Sequence, residues 1–288
     1  MSIELLAASI ADRAYDRIRA DIVFGRLAPG KKLRLDRLTT DYGTSISTLR
    51  EILSRLSSEG LVVAEEQRGF WVPPVSHSGF EDVAAMRLLL ETYALPMSFS
   101  AGDLEWESRV VAAHHKLASM ERRMLAGDRE GTELWKRYDR EFHSALIEAC
   151  GSETLIDLYA GVFDQYLRYQ MVAVVFRGET AAAEHKALLD CALSRNAGQA
   201  CTILSQHVNG CVAYASETSG LLGDERQSNL PLQRRATLTD EGAAGRVGEA
   251  RSVHAPPLSP RVAEGEGEAW KSVEGPAPLA SRGERRED

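Results

Sequence analysis

Residues Gly43 to Val62 read GTSISTLREILSRLSSEGLV, and the rest of the chain is organised around this stretch. Leu49, Ile52, Leu53 and Leu56 recur at i, i+3, i+4 and i+7, which draws one apolar stripe along a helix. The other face carries Ser47, Thr48, Arg50, Ser54 and Arg55, short hydroxyls and cations without a large apolar group. Ser45 is placed to cap the helix start, and Gly60 to stop it through a left-handed φ. Short donors at a helix N-terminus followed by arginine suit a helix that enters a DNA major groove end-first. Taken alone, the stripe describes any amphipathic helix with a solvated face, so its neighbours decide the matter.

Before it, Ala11 to Phe24 is predicted as a helix with Tyr15, Ile18 and Ile22 on one side. GRLAPGKKL, Gly25 to Leu33, ends it with turn residues, and a short helix from about Leu35 to Tyr42 stops at Gly43. Two helices separated by so short a turn form a helix-turn-helix. After Gly60, the β-rich runs Leu61 to Val63 and Phe70 to Val72 flank a polar turn ending in Arg68-Gly69, which predicts a hairpin with Arg68 near its tip. The result is a winged helix-turn-helix over residues 8–75.

Pro73-Pro74 and the small polar run 76–79 read as a linker. Residues 80–222 carry only helical patterns, placed at 80–101, 104–126, 129–150, 153–177, 179–195 and 198–221. The short breaks between them imply antiparallel neighbours, hence an all-α bundle, with Pro96 expected to kink or interrupt the first helix. Residues 223–288 hold six of the ten prolines and one aromatic, Trp270, and are expected to be disordered. The fold class is therefore mostly α: a winged helix-turn-helix, a helical bundle and a tail.

The 288 residues suffice for two cores, and 44% hydrophobic with 26% charged residues is ordinary for a soluble protein. No apolar run reaches the roughly 18 residues of a membrane span, and no signal peptide is recognisable, so a cytoplasmic location is expected. Cys150, Cys191, Cys201 and Cys211 form no C-x-x-C pair and read as reduced core residues. The net charge of −8 resides in the later chain, because residues 1–76 hold 11 basic against 10 acidic side chains. A nearly neutral DNA-binding domain with clustered cations implies modest non-specific affinity. No nucleophile elbow, phosphate-binding loop or dinucleotide fingerprint occurs, which argues against those enzyme classes.

Asp139 and His143 lie at i and i+4 in KRYDREFHSAL and share a helix face. His185 starts a later helix, and the break at Asn196 to Gly198 lets the last helix fold back and bring His207 to the same core. One carboxylate and three imidazoles would suit a divalent ion, zinc first and nickel or manganese next. Residue pattern alone leaves two other readings open: hydrogen-bonded core histidines that hold an organic acid without metal, and a metal-dependent hydrolase or oxygenase. His114 and His115 are expected at the solvated border of their helix. Arg87 and Arg168 fall within helical stretches; Arg87 either pairs with Glu91 one turn on, or one of the two clamps a ligand carboxylate.

The stretch from Tyr15 to Val75 resembles the DNA-binding domain of the GntR family of bacterial transcription regulators. The matching positions are Ile22, Gly25, Leu27, Pro29-Gly30, Leu33, Leu38, Gly43, Ser45, Arg50-Glu51, Leu53, Leu56, Glu59-Gly60-Leu61-Val62 and Arg68-Gly69. The resemblance implies a homodimer on a short pseudo-palindromic operator in double-stranded DNA. Ser45, Ser47, Thr48 and Arg50 would face the DNA, with the Arg68-Gly69 wing in an adjacent minor groove. The residue after Ser45, often an arginine in that family, is Ile46 here. The bundle is similar to the effector domain of the fatty-acid-responsive (FadR, or FCD-type) subfamily. There the D-x-x-F-H helix and two later histidines form a metal site, corresponding to Asp139, His143, His185 and His207. CGSETL and FDQYLRYQ also resemble the glutarate-responsive carbon-starvation regulators, which implies a small carboxylate effector. The whole reading is a regulator, a repressor by family expectation and not an enzyme.

Overall fold

The computed structural model describes residues 10–173 and 176–218; the expected disordered tail, 223–288, lies outside them. The first helix, α1 (Ile10–Val23), buries Ala14, Ile18 and Ile22, spaced one turn apart, against the next two helices. A two-residue strand, β1 (Lys32–Leu33), precedes α2 (Leu35–Tyr42). That helix ends on Gly43, whose φ of 64° lets its N–H reach the Thr39 carbonyl. Helix α3 (Ile46–Ser58) starts where the Ser45 side chain accepts from the Thr48 N–H at 3.2 Å. Leu49, Ile52, Leu53 and Leu56 are all buried, and each contributes on the order of 1.5–3 kcal/mol by leaving water.

The wing differs from the predicted hairpin in two respects. Its hairpin strands are β2 (Val63–Glu65) and β3 (Gly69–Trp71), displaced from the β-rich runs. Gly60, at φ 75°, turns the chain so that Leu61 and Val62 both donate to the Leu56 carbonyl and stay buried beneath α3. Second, β1 pairs antiparallel with β3, giving a three-stranded sheet in the order β1-β3-β2. Two residues carry no strand signal by themselves; the ladder is completed by Gly30 N–H to Val72 O at 2.9 Å and Val72 N–H to Lys31 O at 3.0 Å.

Among the described residues six α-helices follow: α4 (His77–Ala101), α5 (Leu104–Leu125), α6 (Thr132–Ile147), α7 (Glu153–Ala173), α8 (Glu179–Leu193) and α9 (Ala197–Thr218). Helix α4 packs on α7 and α9, and α5 on α6 and α8. The run 76–79, expected as linker, is instead the cap and first turn of α4, because the Ser76 side chain accepts from the Gly79 N–H at 3.1 Å. Nor does Pro96 interrupt α4, which runs through it. Proline leaves the Thr92 carbonyl without its helical donor, and the Cys201 thiol of α9 lies 3.7 Å from that oxygen, pointing its weak donor at it.

The winged part is tied to the bundle by specific polar contacts. Gln165 of α7 donates to the Glu59 carbonyl at 2.9 Å, and Arg26 donates to Glu133 of α6 at 2.5 Å. Asp164 of α7, 1% exposed, pairs with Arg19 of α1 and accepts a hydrogen bond from Arg140 of α6.

Candidate functional site

Two places collect the residues singled out in the sequence. At the tip of α3 the hydroxyls of Ser47 and Thr48 lie 2.8 and 2.9 Å from the Ser45 hydroxyl, clustered at the positive end of the helix. Arg50 projects into a groove between α3 and the wing, lined also by Lys32, Arg34 and Arg68 and by the acids Asp36 and Glu65. Arg68 is held by Glu65 at 2.8 Å, and Gly69 reaches a φ of 103° as β3 begins. Lys32 and Arg34 went unnoticed in the sequence, because only the pairing of β1 with β3 sets them beside Arg50. Arg55, on the polar face as read, lies 4.0 Å from the Tyr15 ring centroid and 3.3 Å from Glu59. Ile46 stands 47% exposed at the start of α3.

The second place is inside the bundle. Helix α6 presents Asp139 and His143 on one face, α8 brings His185 and α9 brings His207. One potential ligand atom from each lies within 4.8 Å of all the others, and all four residues are buried. Tetrahedral coordination at zinc–nitrogen distances puts ligand atoms about 3.4 Å apart. The His185 Nε2 to Asp139 Oδ1 separation is 3.2 Å and that from His143 Nε2 is 4.0 Å. His143 Nε2, His185 Nε2 and Asp139 Oδ2 have no hydrogen-bond partner, an arrangement a cation would satisfy.

Each imidazole is oriented from behind by a carboxylate on Nδ1. Glu91 of α4 lies 3.2 Å from His143, Glu121 of α5 lies 2.6 Å from His185, and Glu184 of α8 lies 2.7 Å from His207. A carboxylate on Nδ1 leaves Nε2 free to bind metal and raises its basicity. Glu121 and Glu184 were missed in the sequence. Glu121 sits on the buried stripe of α5 with Leu117 and Met124, where an isolated acid is a legible signal of a partner. Glu184 gives none, since its partner is 23 residues away.

Burial pushes the Asp139 carboxyl up, but Lys136 beside it and the neighbouring histidines hold it well below the usual carboxylate range. For Glu91, burial is likewise outweighed by Arg87 and His143, which bring it down to about 2. Burial and the Arg87 charge lower His143, while burial and the other two imidazoles hold His207 well below the ordinary range. Burial acts downward on His185 too, yet the carboxylates of Asp139 and Glu121 beside its two ring nitrogens bring it up to about 9. The metal-free cluster therefore keeps a proton on His185 below that pH, and an incoming ion must displace it. Zinc affinity is expected to climb as pH rises from about 7 and to level off near 9, with a proton released at the lower end. Calorimetry in buffers of different ionisation enthalpy counts that proton, and an affinity constant across the range would contradict the assignment.

Arg87 donates through Nε to Glu91 at 2.5 Å and lies 4.5 Å from the rings of Phe163 and Tyr166. Its Nη1 and Nη2 are buried without partners. It thus forms the structural pair and still has two donors free for an anion. Arg168 does not join the cluster; it donates to the Pro73 carbonyl at 2.8 Å and braces the segment between wing and bundle. His114 turns inward from its expected solvated border, edge-on to Phe142 at 5.3 Å, whereas His115 is exposed.

A winged helix-turn-helix followed by a helical bundle defines a class of DNA-binding regulators. The chain matches the gntR family of bacterial regulatory proteins over residues 10–72 and the FCD domain over residues 82–210. It is 36% identical over 211 residues to the HTH-type transcriptional regulator BphR of Paraburkholderia xenovorans, covering 73% of this chain and 86% of BphR. It is 28% identical over 200 residues to the HTH-type transcriptional repressor GlaR of Escherichia coli, covering 67% and 90%. The E. coli McbR/YncC structure shares the fold, with a TM-score of 0.63 at 17% identity over 73% of this chain and 99% of that one. The chain belongs to the GntR family, in the group that carries an FCD domain, and is a DNA-binding transcription regulator. These relatives are regulators and not enzymes, which removes the hydrolase or oxygenase alternative. Among the described residues no helix is long and apolar enough to cross a membrane.

Proposed function

We propose that the chain is a homodimeric, cytoplasmic repressor whose grip on a pseudo-palindromic operator is released by a small carboxylate bound beside a metal ion in the bundle. The observation that carries the reading is the convergence of Asp139, His143, His185 and His207, the first three with buried atoms that lack a hydrogen-bond partner. Asp139 and the three Nε2 atoms would hold the ion, zinc first by donor type, with nickel or manganese next. The ion would supply a positive centre for the carboxylate, and Arg87, with two free donors, the counter-charge on the protein side.

The winged part fits duplex DNA in the same terms. The Ser45, Ser47 and Thr48 hydroxyls and Arg50 are the base-edge and phosphate groups of α3, and Arg68-Gly69 the wing contact. Ile46 offers a thymine methyl group an apolar surface in place of the family's arginine. Met86, Leu89 and Tyr93 on α4 are 47, 60 and 66% exposed at i, i+3 and i+7, an apolar stripe suited to a second copy. Metal-site movement has a short route to α1, since Arg140 follows Asp139 on α6 and shares Asp164 with Arg19.

Footprinting the full-length protein on DNA flanking its own gene tests this reading. It is expected to protect two half-sites related by a dyad, and no protection or a single half-site would defeat the dimer reading. On the operator so found, Arg50→Ala should weaken binding by about 1–3 kcal/mol and flatten base discrimination. Equal losses on operator and scrambled duplex would reduce Arg50 to a phosphate contact.

A further inference from the structure

Arg177 stands just before α8 and reaches across to α9. Its Nη1 donates to Glu184 Oε1 at 3.2 Å and its Nη2 donates to Glu184 Oε2, a two-point pair. The same Nη2 donates to the His207 carbonyl oxygen at 3.1 Å. Glu184 Oε2 in turn lies 2.7 Å from His207 Nδ1. Arg87, Glu91 and His143 repeat this chain of contacts, but there the arginine side chain is fully buried. Arg177 instead borders a surface basin of about 640 Å³, together with Gly210 and Glu217.

The Nη2 nitrogen carries two hydrogens, and Glu184 and the His207 carbonyl take both. Although Nη2 lies 3.1 Å from His207 Nδ1, it has no hydrogen left to donate there. A carboxylate in a two-point pair with a guanidinium offers only lone pairs, so its 2.7 Å approach to Nδ1 requires the proton on that nitrogen. The opposite tautomer would set two lone pairs against each other at that distance. With the proton on Nδ1 the neutral ring has a bare Nε2, the form that binds metal.

A missing methyl group makes room for the guanidinium. Gly210 lies one turn beyond His207 in the interior of α9, where glycine costs about 1 kcal/mol relative to alanine. A Cβ there would stand 2.6 Å from Arg177 Nη1 and 3.1 Å from its Cζ, closer than van der Waals contact allows.

We propose that Arg177, lodged in the notch left by Gly210, is a positioning residue that locks Glu184 onto His207 and so fixes the His207 tautomer that takes the metal ion. The proposal rests on the metal reading given above. Without Arg177, the Glu184 side chain, 17% exposed, is free to turn to solvent. His207 is then free to carry its proton on Nε2, where it blocks the ion.

Ring-nitrogen NMR of the metal-free, full-length protein reads the tautomer, and zinc titration against a competing chelator reads the affinity. The wild type should show His207 with its proton on Nδ1. Arg177→Met should shift the ring toward the Nε2–H form and weaken zinc about tenfold. Gly210→Ala, which expels the guanidinium while favouring the helix, should do the same, and covers the case in which Arg177→Met fails to fold. His143, whose carboxylate is held by Arg87, should keep its tautomer in both variants, a result that general loosening of the bundle would not give. A wild-type proton on Nε2, or a tautomer or zinc affinity unaltered in both variants, overturns the proposal. Absence of zinc binding in the wild type would instead defeat the metal reading, and the ring-nitrogen signals would still decide whether Arg177 sets the tautomer.

Discussion

Chelating the metal from the full-length protein is expected to lower its melting temperature by about 5–15 °C, and alanine at Asp139, His143, His185 or His207 to abolish that difference. An ion held at a hundred to a thousand times its dissociation constant adds about 2.7–4.1 kcal/mol to the folded state, because the unfolded chain has no assembled site. For a folded part of this size each kcal/mol moves the midpoint by about 2–4 °C. The four residues come from α6, α8 and α9, so the ion would clamp three helices together. If the ligands act as one unit, His143→Ala/His185→Ala costs much less than the two single changes added together. Scanning calorimetry with metal analysis of untagged protein decides this; additive losses, or a chelation shift that persists in the variants, would show that the histidines are independent core residues.

The second large effect concerns the contact between the bundle and the winged helix. Burial raises Asp164 above the usual carboxylate range, and the charges of Arg140 and Arg19 act against that rise. Arg140 adjoins a residue of the cluster and Arg19 belongs to the DNA-binding part, so one buried carboxylate joins the two. Arg140→Ala should leave zinc content and acid-free operator affinity nearly unchanged while the coupling between acid and operator falls. Such couplings amount to about 1–3 kcal/mol, so the shift in operator affinity produced by glutarate should shrink by about five- to a hundredfold. Arg19→Ala, made from the other side, should give the same loss. Operator titrations with and without glutarate measure it, and an undiminished shift in both variants would mean that the signal travels through another contact, such as Gln165 to Glu59.

Much of this was legible before any coordinates, for reasons that differ from element to element. Helix α2 was placed correctly at both ends, because Gly43 can take a left-handed turn that other residues resist. The stripe of α3 and its Ser45 cap are local signals with a single solution. The register of the wing was not, since Leu61 and Val62 have strand propensity but are held under α3 by the Leu56 carbonyl, and tertiary burial overrides propensity. β1 was invisible because Lys32 and Leu33 become a strand only through their distant partners Trp71 and Phe70.

The candidate site divides in the same way. Asp139 and His143 share a helix face by spacing alone, whereas joining His185 and His207 to them needed the family resemblance and a fold-back at Asn196. Glu121 and Glu184 reach their histidines across helix pairs; Glu121 shows itself as an acid on the apolar stripe of α5, whereas no local pattern announces Glu184. Arg87 and Arg168 looked equivalent as arginines within helices. Packing separates them, one beside the cluster with two donors free and the other at the Pro73 carbonyl.

The central claim is that the ion makes the operator grip responsive to acid. It is tested most directly by glutarate titration of operator complexes formed by the wild type and by His143→Ala/His185→Ala. The account predicts equal operator affinity for both without acid, release of the wild type on titration, and a double variant that stays bound throughout. Release of the double variant at the same acid concentration would contradict it.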